Sequence, residues 1–206
     1  MNAPPVALPG WFGKLPGMGD FAHRRLPEAF RERWDGWLHD GLMRLRERHD
    51  DWTARYLEAP LWCFVLGRGV AGDRLWLGVL MPSVDGVGRY FPFTVAIEFD
   101  DQPPPLWSWW QRASQAALDG LEQDLDALRF DTLLQRLFAD GGIAAAAVEA
   151  PPALLPLPGQ ALWLTAPEDA AAGRLTTDGL PQGAAFEALF GFGFGDDAHA
   201  ATQVSP

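Results

Sequence analysis

The sequence predicts an α+β fold, in which helices pack on the faces of an antiparallel sheet of about five to six strands. Two observations support this prediction. Short apolar runs at residues 61–66, 75–81 and 93–99 are separated by turns rich in glycine and proline, as in successive strands of one sheet. Apolar side chains at residues 26–50 and again after residue 105 recur instead at helical spacing.

The first half of the chain begins with a predicted strand that leads into a Gly/Pro loop, at residues 10–21. An amphipathic helix follows from about Pro27, because proline is accepted in a first helical turn, and it runs to about Asp50 before a second, shorter helix. The runs at 61–66 and 75–81 predict an antiparallel hairpin. Since the first of these runs is apolar on both faces, we expect it to lie inside the sheet.

The second half opens with a strand at 93–99 that places alternate apolar side chains on one face. A long helix should follow the three prolines at 103–105, and its apolar stripe consists of Leu106, Trp110, Ala113, Ala117, Leu121, Leu125 and Leu128. The remaining predicted elements are a helix around 133–138, a loop or linker at 141–158, a strand at 161–165, a short helix at 183–190 and a flexible tail at 191–206. We expect residues 1–206 to form a single domain.

Ten tryptophans require a large core or an aromatic surface. Core packing accounts for the four that lie on predicted apolar stripes: Trp34, Trp37, Trp62 and Trp76. Trp107 and Trp109 lie off the stripe of Trp110, so the spacing predicts that at least one of them is exposed, where it could anchor an interface.

The charge balance excludes several kinds of partner. The chain has 16 basic and 27 acidic residues, and its net charge of -11 comes almost entirely from residues 101–206, because residues 1–100 carry a net charge of only -1. An acidic surface repels nucleic acid and anionic lipid, so we expect neither as a partner. Cys63, the only cysteine, lies in an apolar run and is predicted to be a small buried side chain. With no disulfide, no signal peptide and no spanning segment of about 20 apolar residues, we expect a cytoplasmic protein.

Two loops combine glycine, proline and charges of both signs, at residues 13–21 and 82–92, and each follows a predicted strand. One interpretation is internal: an aspartate pairs with a basic side chain and caps neighbouring amides, which fixes the loops. The other is a surface that binds a partner. The two interpretations are compatible, and the candidate residues are Lys14, Asp20, Ser83, Asp85 and Arg89.

Patterns typical of enzymes and metal sites are weak. Ser83 and Asp85 share a loop, but no histidine is near them in the sequence and the Gly-x-Ser-x-Gly elbow is absent. No pair of histidines or cysteines has metal-ligand spacing. Lys14 is followed by Leu15 and Pro16 instead of the Ser or Thr of a phosphate loop. We predict no catalytic residue, cofactor or metal, and a small-ligand or hydrolytic site on the 82–92 loop stays open as an alternative.

Several ordered motifs resemble the TagF family of type VI secretion-associated proteins. They are GWFGKLP (10–16), GDF (19–21), WDGWL (34–38), YLEAPLWCF (56–64), MPSVD (81–85) and GRYFP (88–92). The resemblance is strong over residues 10–100 and looser beyond. Cys63 departs from the pattern, where a larger polar residue such as arginine is expected.

The resemblance implies a regulatory role without catalytic residues. TagF-like proteins act after translation to hold back the type VI secretion system, a contractile injector of Gram-negative bacteria. The resemblance further implies that the partner is the forkhead-associated scaffold protein of that system, which the regulator binds and sequesters. A structural accessory subunit of the apparatus is the remaining alternative.

Overall fold

The computed structural model describes residues 8–100, 103–139, 154–169 and 172–193. Within these ranges, one seven-stranded antiparallel sheet is packed with five helices, so the predicted α+β class is confirmed with one strand more than expected. The elements in chain order are β1 (Gly10–Gly13), β2 (Ala22–Arg24), α1 (Glu28–Arg48), α2 (Trp52–Glu58), β3 (Trp62–Leu66), β4 (Leu75–Met81), β5 (Phe93–Phe99), α3 (Leu106–Glu122), α4 (Ala127–Ala139), β6 (Gln160–Leu164), β7 (Arg174–Asp178) and α5 (Ala184–Leu189).

The strands are ordered β2-β1-β5-β4-β3-β6-β7. The predicted hairpin is confirmed, because β3 and β4 pair with Val65 opposite Leu77. β4 pairs along its whole length with β5, and Met81 at its end lies opposite Phe93 at the start of β5. The apolar strands thus occupy the middle of the sheet, where both faces can be covered.

Two hydrophobic cores cover the two faces of the sheet. One core joins the sheet to α3 and α4, and the other joins it to α1, α2 and α5. Strand β5 shows the division, since Phe93 and Val95 enter the first core while Ala96 enters the second. All four tryptophans predicted to be in the core are buried there. Cys63 is buried as predicted, and burial raises the pKa of its thiol to about 12.

The prediction that one helix carries an apolar stripe from Leu106 to Leu128 is wrong at its C-terminal end. Helix α3 stops at Glu122, and the chain turns through Asp124, which has a φ of 50°. The Asp126 carboxylate then caps α4, because its Oδ1 accepts the amide N–H of Leu128 at 3.0 Å. Leu128 belongs to this new helix and is exposed, so it does not continue the buried stripe of α3.

The expectation for the two tryptophans beside Trp110 needs a correction. Trp109 is fully buried in the first core, where its ring contacts Phe138 at a centroid distance of 5.8 Å. Trp107 is half-buried, and its ring packs edge-on against Trp110.

The prediction of a flexible tail from residue 191 is wrong at Phe192. This side chain is buried, and its ring lies 4.1 Å from that of His49. Together with α5 it completes the second core, where Trp62 Nε1 donates to the carbonyl oxygen of Leu189 at 2.8 Å. Residues 194–206 of the predicted tail and 141–153 of the predicted linker lie outside the described residues.

Strands β2 and β7 were not predicted. Each carries little apolar sequence, since the only large apolar side chain in either strand is Leu175. They join the sheet through backbone pairing with β1 and β6. No helix in the described ranges is both long and apolar enough to cross a bilayer.

The aromatic side chains near the C-terminal end should therefore be essential to stability. Phe190 is buried and stacks on Tyr56 at 5.4 Å, so we expect Phe190→Ala to lower the free energy of unfolding by about 3–5 kcal/mol. Urea denaturation measures this loss. Leu157→Ala is the control, because Leu157 is 68% exposed and its truncation should change stability by less than about 0.5 kcal/mol.

Candidate functional site

The two predicted loops leave the sheet at the same end. β1 runs antiparallel to β5, with Phe12 opposite Thr94, so residues 13–21 start beside the beginning of β5. The 82–92 loop connects the end of β4 to that same beginning. Since β1, β5 and β4 are neighbours in the sheet, the topology brings the two loops together.

The Asp85 carboxylate joins the loops from inside. Its side chain is completely buried, and its Oδ2 accepts Lys14 Nζ at 3.0 Å and Arg89 Nε at 2.6 Å. Its Oδ1 accepts the amide N–H groups of Val87 at 3.1 Å and Arg89 at 2.9 Å. One carboxylate therefore pairs with a cation from each loop and also shapes the turn that carries Val87.

Two further hydrogen bonds tie one loop directly to the other. Ser83 Oγ donates to the carbonyl oxygen of Lys14 at 2.6 Å, in a buried position. Arg89 Nη2 donates to the carbonyl oxygen of Gly19 at 2.6 Å. The internal interpretation of the loops is thus confirmed, with Asp85 bound to both candidate cations.

Glycine allows the backbones to approach this closely. The amide of Gly86 donates to the carbonyl oxygen of Met18 at 3.4 Å, and a β-carbon at Gly86 would lie only 2.7 Å from the carbonyl oxygen of Pro16. Gly13 has a φ of 132°, and a β-carbon there would lie 2.3 Å from the carbonyl oxygen of Pro92. Larger residues at either position would separate the loops.

Sequence reasoning missed Tyr56, which fixes the 82–92 loop from α2. Its hydroxyl donates to the carbonyl oxygen of Ser83 at 3.0 Å and accepts the amide N–H of the same residue at 2.9 Å. Burial of the phenol raises its pKa, so the hydroxyl stays protonated. The contact spans 27 residues, and no local pattern signals it.

Sequence reasoning also missed Asp131, a buried carboxylate on α4. Trp11 Nε1 donates to its Oδ1 at 3.0 Å, and the Arg25 guanidinium pairs with the same oxygen. Burial disfavours the charged form, but the hydrogen bonds from Arg25 and Trp11 outweigh it and lower the pKa of Asp131. A single acidic residue among the apolar residues of α4 was the available signal.

The Asp85 carboxyl is ionised for the same reasons. Burial alone would raise its pKa, but the hydrogen bonds from the Arg89 amide, the Lys14 ammonium, the Arg89 guanidinium and the Val87 amide hold the pKa well below the usual range. At neutral pH the buried Asp85 carboxylate is therefore ionised, and its charge is compensated by the cations of Lys14 and Arg89.

The network supports an exposed surface, which we call the loop-tip patch: Asp20, Phe21, Val87 and Arg89. Val87 is 71% exposed, and Phe21 is partly exposed while it stacks edge-on against Phe91 at 4.7 Å. The side chains of Asp20 and Arg89 are both exposed and lie 3.8 Å apart. The patch combines apolar side chains with charges of both signs.

All five candidate residues are therefore brought together, but in two layers. Lys14, Ser83 and Asp85 are buried, so in this conformation they act by holding the loops. Asp20 and Arg89 are at the surface, where a partner could touch them.

The arrangement needed for hydrolysis by Ser83 is not formed by the described residues. The Ser83 hydroxyl is buried and donates to a backbone carbonyl. His23 and His49 contact an arginine and a glutamate on other elements, and His39 is exposed on α1. A groove of about 710 Å³ lies between α3 and the residues after β6, and neither loop contributes to it. In the described part of the chain, no group of three or more His, Cys, Asp or Glu side chains could hold a metal ion.

Removal of the Asp85 charge should destabilise the protein strongly. In Asp85→Asn the Lys14 ammonium stays buried without its counter-charge, so we expect the free energy of unfolding at pH 7 to fall by about 3 kcal/mol. The Asp85 pKa is lower in the folded chain than its unfolded value of about 3.9. Its contribution is therefore complete above that pH and is lost as the pH falls through the folded pKa, so the difference between wild type and variant should shrink below about pH 4.

Urea denaturation between pH 3 and pH 8 measures both effects. Asp20→Asn is the matched control, because the Asp20 side chain is exposed and its neutralisation should change stability by less than about 0.5 kcal/mol. A gap between wild type and Asp85→Asn that does not vary with pH would contradict the role given to the carboxylate.

Comparison with known proteins supports the resemblance seen in the sequence. A family model described as the TagF N-terminal domain, type VI secretion system-associated, matches residues 10–137, which is well over half of the chain. The crystal structure of PA0076 from Pseudomonas aeruginosa PAO1 is similar to this chain with a TM-score of 0.68 and 28% identity, over 96% of this chain and 97% of that one. No curated protein matches. The match includes β1 to β5 and nearly all of the α3–α4 pair, and we conclude that the chain belongs to the TagF family of type VI secretion system-associated proteins.

Proposed function

We propose that the chain is a cytoplasmic, non-enzymatic negative regulator of the type VI secretion system that acts after translation. It would bind the forkhead-associated scaffold protein of the system through the loop-tip patch. Membership of a type VI secretion-associated family supports the pathway. The observation that carries the choice of surface is the buried Asp85 network, which holds exposed apolar side chains in a fixed position.

A fixed patch favours binding because little conformational entropy is lost when a partner docks. The turn at Val87 is held by two hydrogen bonds to Asp85, so this side chain is presented without a rearrangement. Val87 and Phe21 supply apolar contact, while Arg89 and Asp20 flank them with charge. Apolar anchors with a polar rim are typical of protein interfaces.

Inhibition would follow from mass action. Scaffold that is bound to the regulator cannot nucleate the apparatus, so repression depends on the regulator concentration relative to the dissociation constant. The excess negative charge of residues 101–206 would speed the encounter with a basic surface of the partner. Such steering weakens as salt is added.

A substitution at the loop tip tests the proposal. We expect Val87→Asp to weaken binding to the purified forkhead-associated protein at least tenfold, because a charge replaces an apolar anchor, with about 1.4 kcal/mol corresponding to each factor of ten. The folded state should be unaffected, since Val87 is largely exposed. Isothermal titration calorimetry measures the affinity, and an effector-secretion assay of a deletion strain carrying each variant measures repression.

Leu157→Asp is the matched control. Leu157 is exposed to nearly the same extent as Val87, but its carbonyl lies beside Gly67, at the other end of the β3–β4 hairpin from the two loops. It should bind and repress like wild type. Absence of any complex together with unchanged secretion in the deletion strain would overturn the proposed function, and stoichiometric copurification with the assembled apparatus would favour a structural subunit instead.

A further inference from the structure

The two outer strands of the sheet differ in how well their edges are protected. β2 has only three residues, Ala22–Arg24, and it is followed directly by Arg25, which has a φ of 60°. β7 has five residues, Arg174–Asp178, and pairs along all of them with β6. It contains no proline, and Leu175, Thr176 and Thr177 favour extended backbone. Within the described ranges no strand pairs with the outer edge of β7, and an edge of this kind is open to pairing with another strand.

The hydrogen bonds between β6 and β7 show which residues of β7 direct their backbone N–H and C=O groups away from the sheet. Just before and just after the strand, Thr165 N–H donates to the Gly173 carbonyl at 3.0 Å and Gly179 N–H donates to the Gly159 carbonyl at 2.6 Å. Since hydrogen-bonded and non-hydrogen-bonded residues alternate along an antiparallel pair, the odd-numbered residues 173–179 bond to β6. The N–H and C=O groups of Arg174, Thr176 and Asp178 therefore point away from the sheet.

The same three residues carry a symmetric pattern of charge. Arg174 and Asp178 have opposite signs and are equally distant from Thr176. If a second β7 lies antiparallel with Thr176 opposite Thr176, then Arg174 of each copy lies opposite Asp178 of the other. In this register the outward N–H and C=O groups of all three residues in one copy lie opposite those of the other copy. Asp178 Oδ1 accepts Gln160 Nε2 at 3.3 Å within the chain, a long contact that leaves room for a second partner.

We propose that two copies of this chain associate through their β7 strands in that register, which joins the two sheets into one. Three pairs of residues would lie directly opposite each other, and the two residues of each pair would exchange two backbone hydrogen bonds. The central pair would be Thr176–Thr176, and the two outer pairs would be Arg174–Asp178. A five-residue strand buries little surface, so the dimer is weak and depends on concentration. The inference is independent of the proposed function, because β7 lies outside the 13–21 and 82–92 loops.

Charge variants test the register. Wild type should show concentration-dependent dimerisation in sedimentation-velocity experiments between micromolar and millimolar protein. Asp178→Arg and Arg174→Asp should each weaken association about tenfold, because two opposite-charge pairs become two like-charge pairs. A mixture of the two variants should associate at least as strongly as wild type, since every cross-strand pair is then of opposite sign. A variant that is merely misfolded would not be rescued by mixing.

Thr176→Pro tests the backbone pairing. Proline removes an N–H that points outward, so the ladder with β6 should persist while association is lost. Thr176→Ser keeps the N–H and should associate like wild type. The proposal is overturned if wild type is monomeric over the whole concentration range, or if the mixture of charge variants associates no better than either variant alone.

Discussion

The buried Asp85 carboxylate is the interaction on which the geometry of the loop end depends. It is bound by a cation from each loop and by two amides of its own turn, so its desolvation is offset by four hydrogen bonds. An incomplete set of partners would leave a buried charge and a strained turn. The network consequently behaves as a unit, and the exposed Val87 and Arg89 owe their positions to a group that is itself out of reach of a partner.

The second buried carboxylate, Asp131, supports the first through β1. Trp11 on this strand bonds to Asp131 on α4, and Lys14 just beyond it bonds to Asp85. The short segment from Trp11 to Lys14 therefore attaches β1 both to α4 and to the 82–92 loop. On the other face of the sheet, Tyr56 holds the same loop from α2. The candidate binding surface is thus attached to both cores, as expected for a site that must keep its shape.

Local patterns predicted the elements whose own residues carry a clear apolar pattern. The strand at 75–81 is apolar throughout, the strand at 93–99 alternates, and the helix before residue 50 has helical spacing. The structure confirms all three. The two loops that carry the five candidate residues were predicted from their glycine, proline and charged residues, and the structure brings these residues together. Tyr56 and Asp131 were missed because their partners lie 27 and 120 residues away. β7 was missed because its position in the sheet depends on pairing with β6. The exposure of each candidate site residue depends on tertiary packing, which the spacing of residues in the sequence does not encode.

Amide hydrogen exchange of the native protein tests the central claim most directly. Val87 has an exposed side chain, yet its amide and that of Arg89 donate to the buried Asp85 carboxylate. We therefore expect both amides to exchange far more slowly than those of an unstructured peptide, and the Asp85→Ala variant to lose this protection while the amides of β3 and β4 keep theirs. Exchange of the Val87 and Arg89 amides at the unstructured rate in the wild-type protein would show that the loops are not held by Asp85.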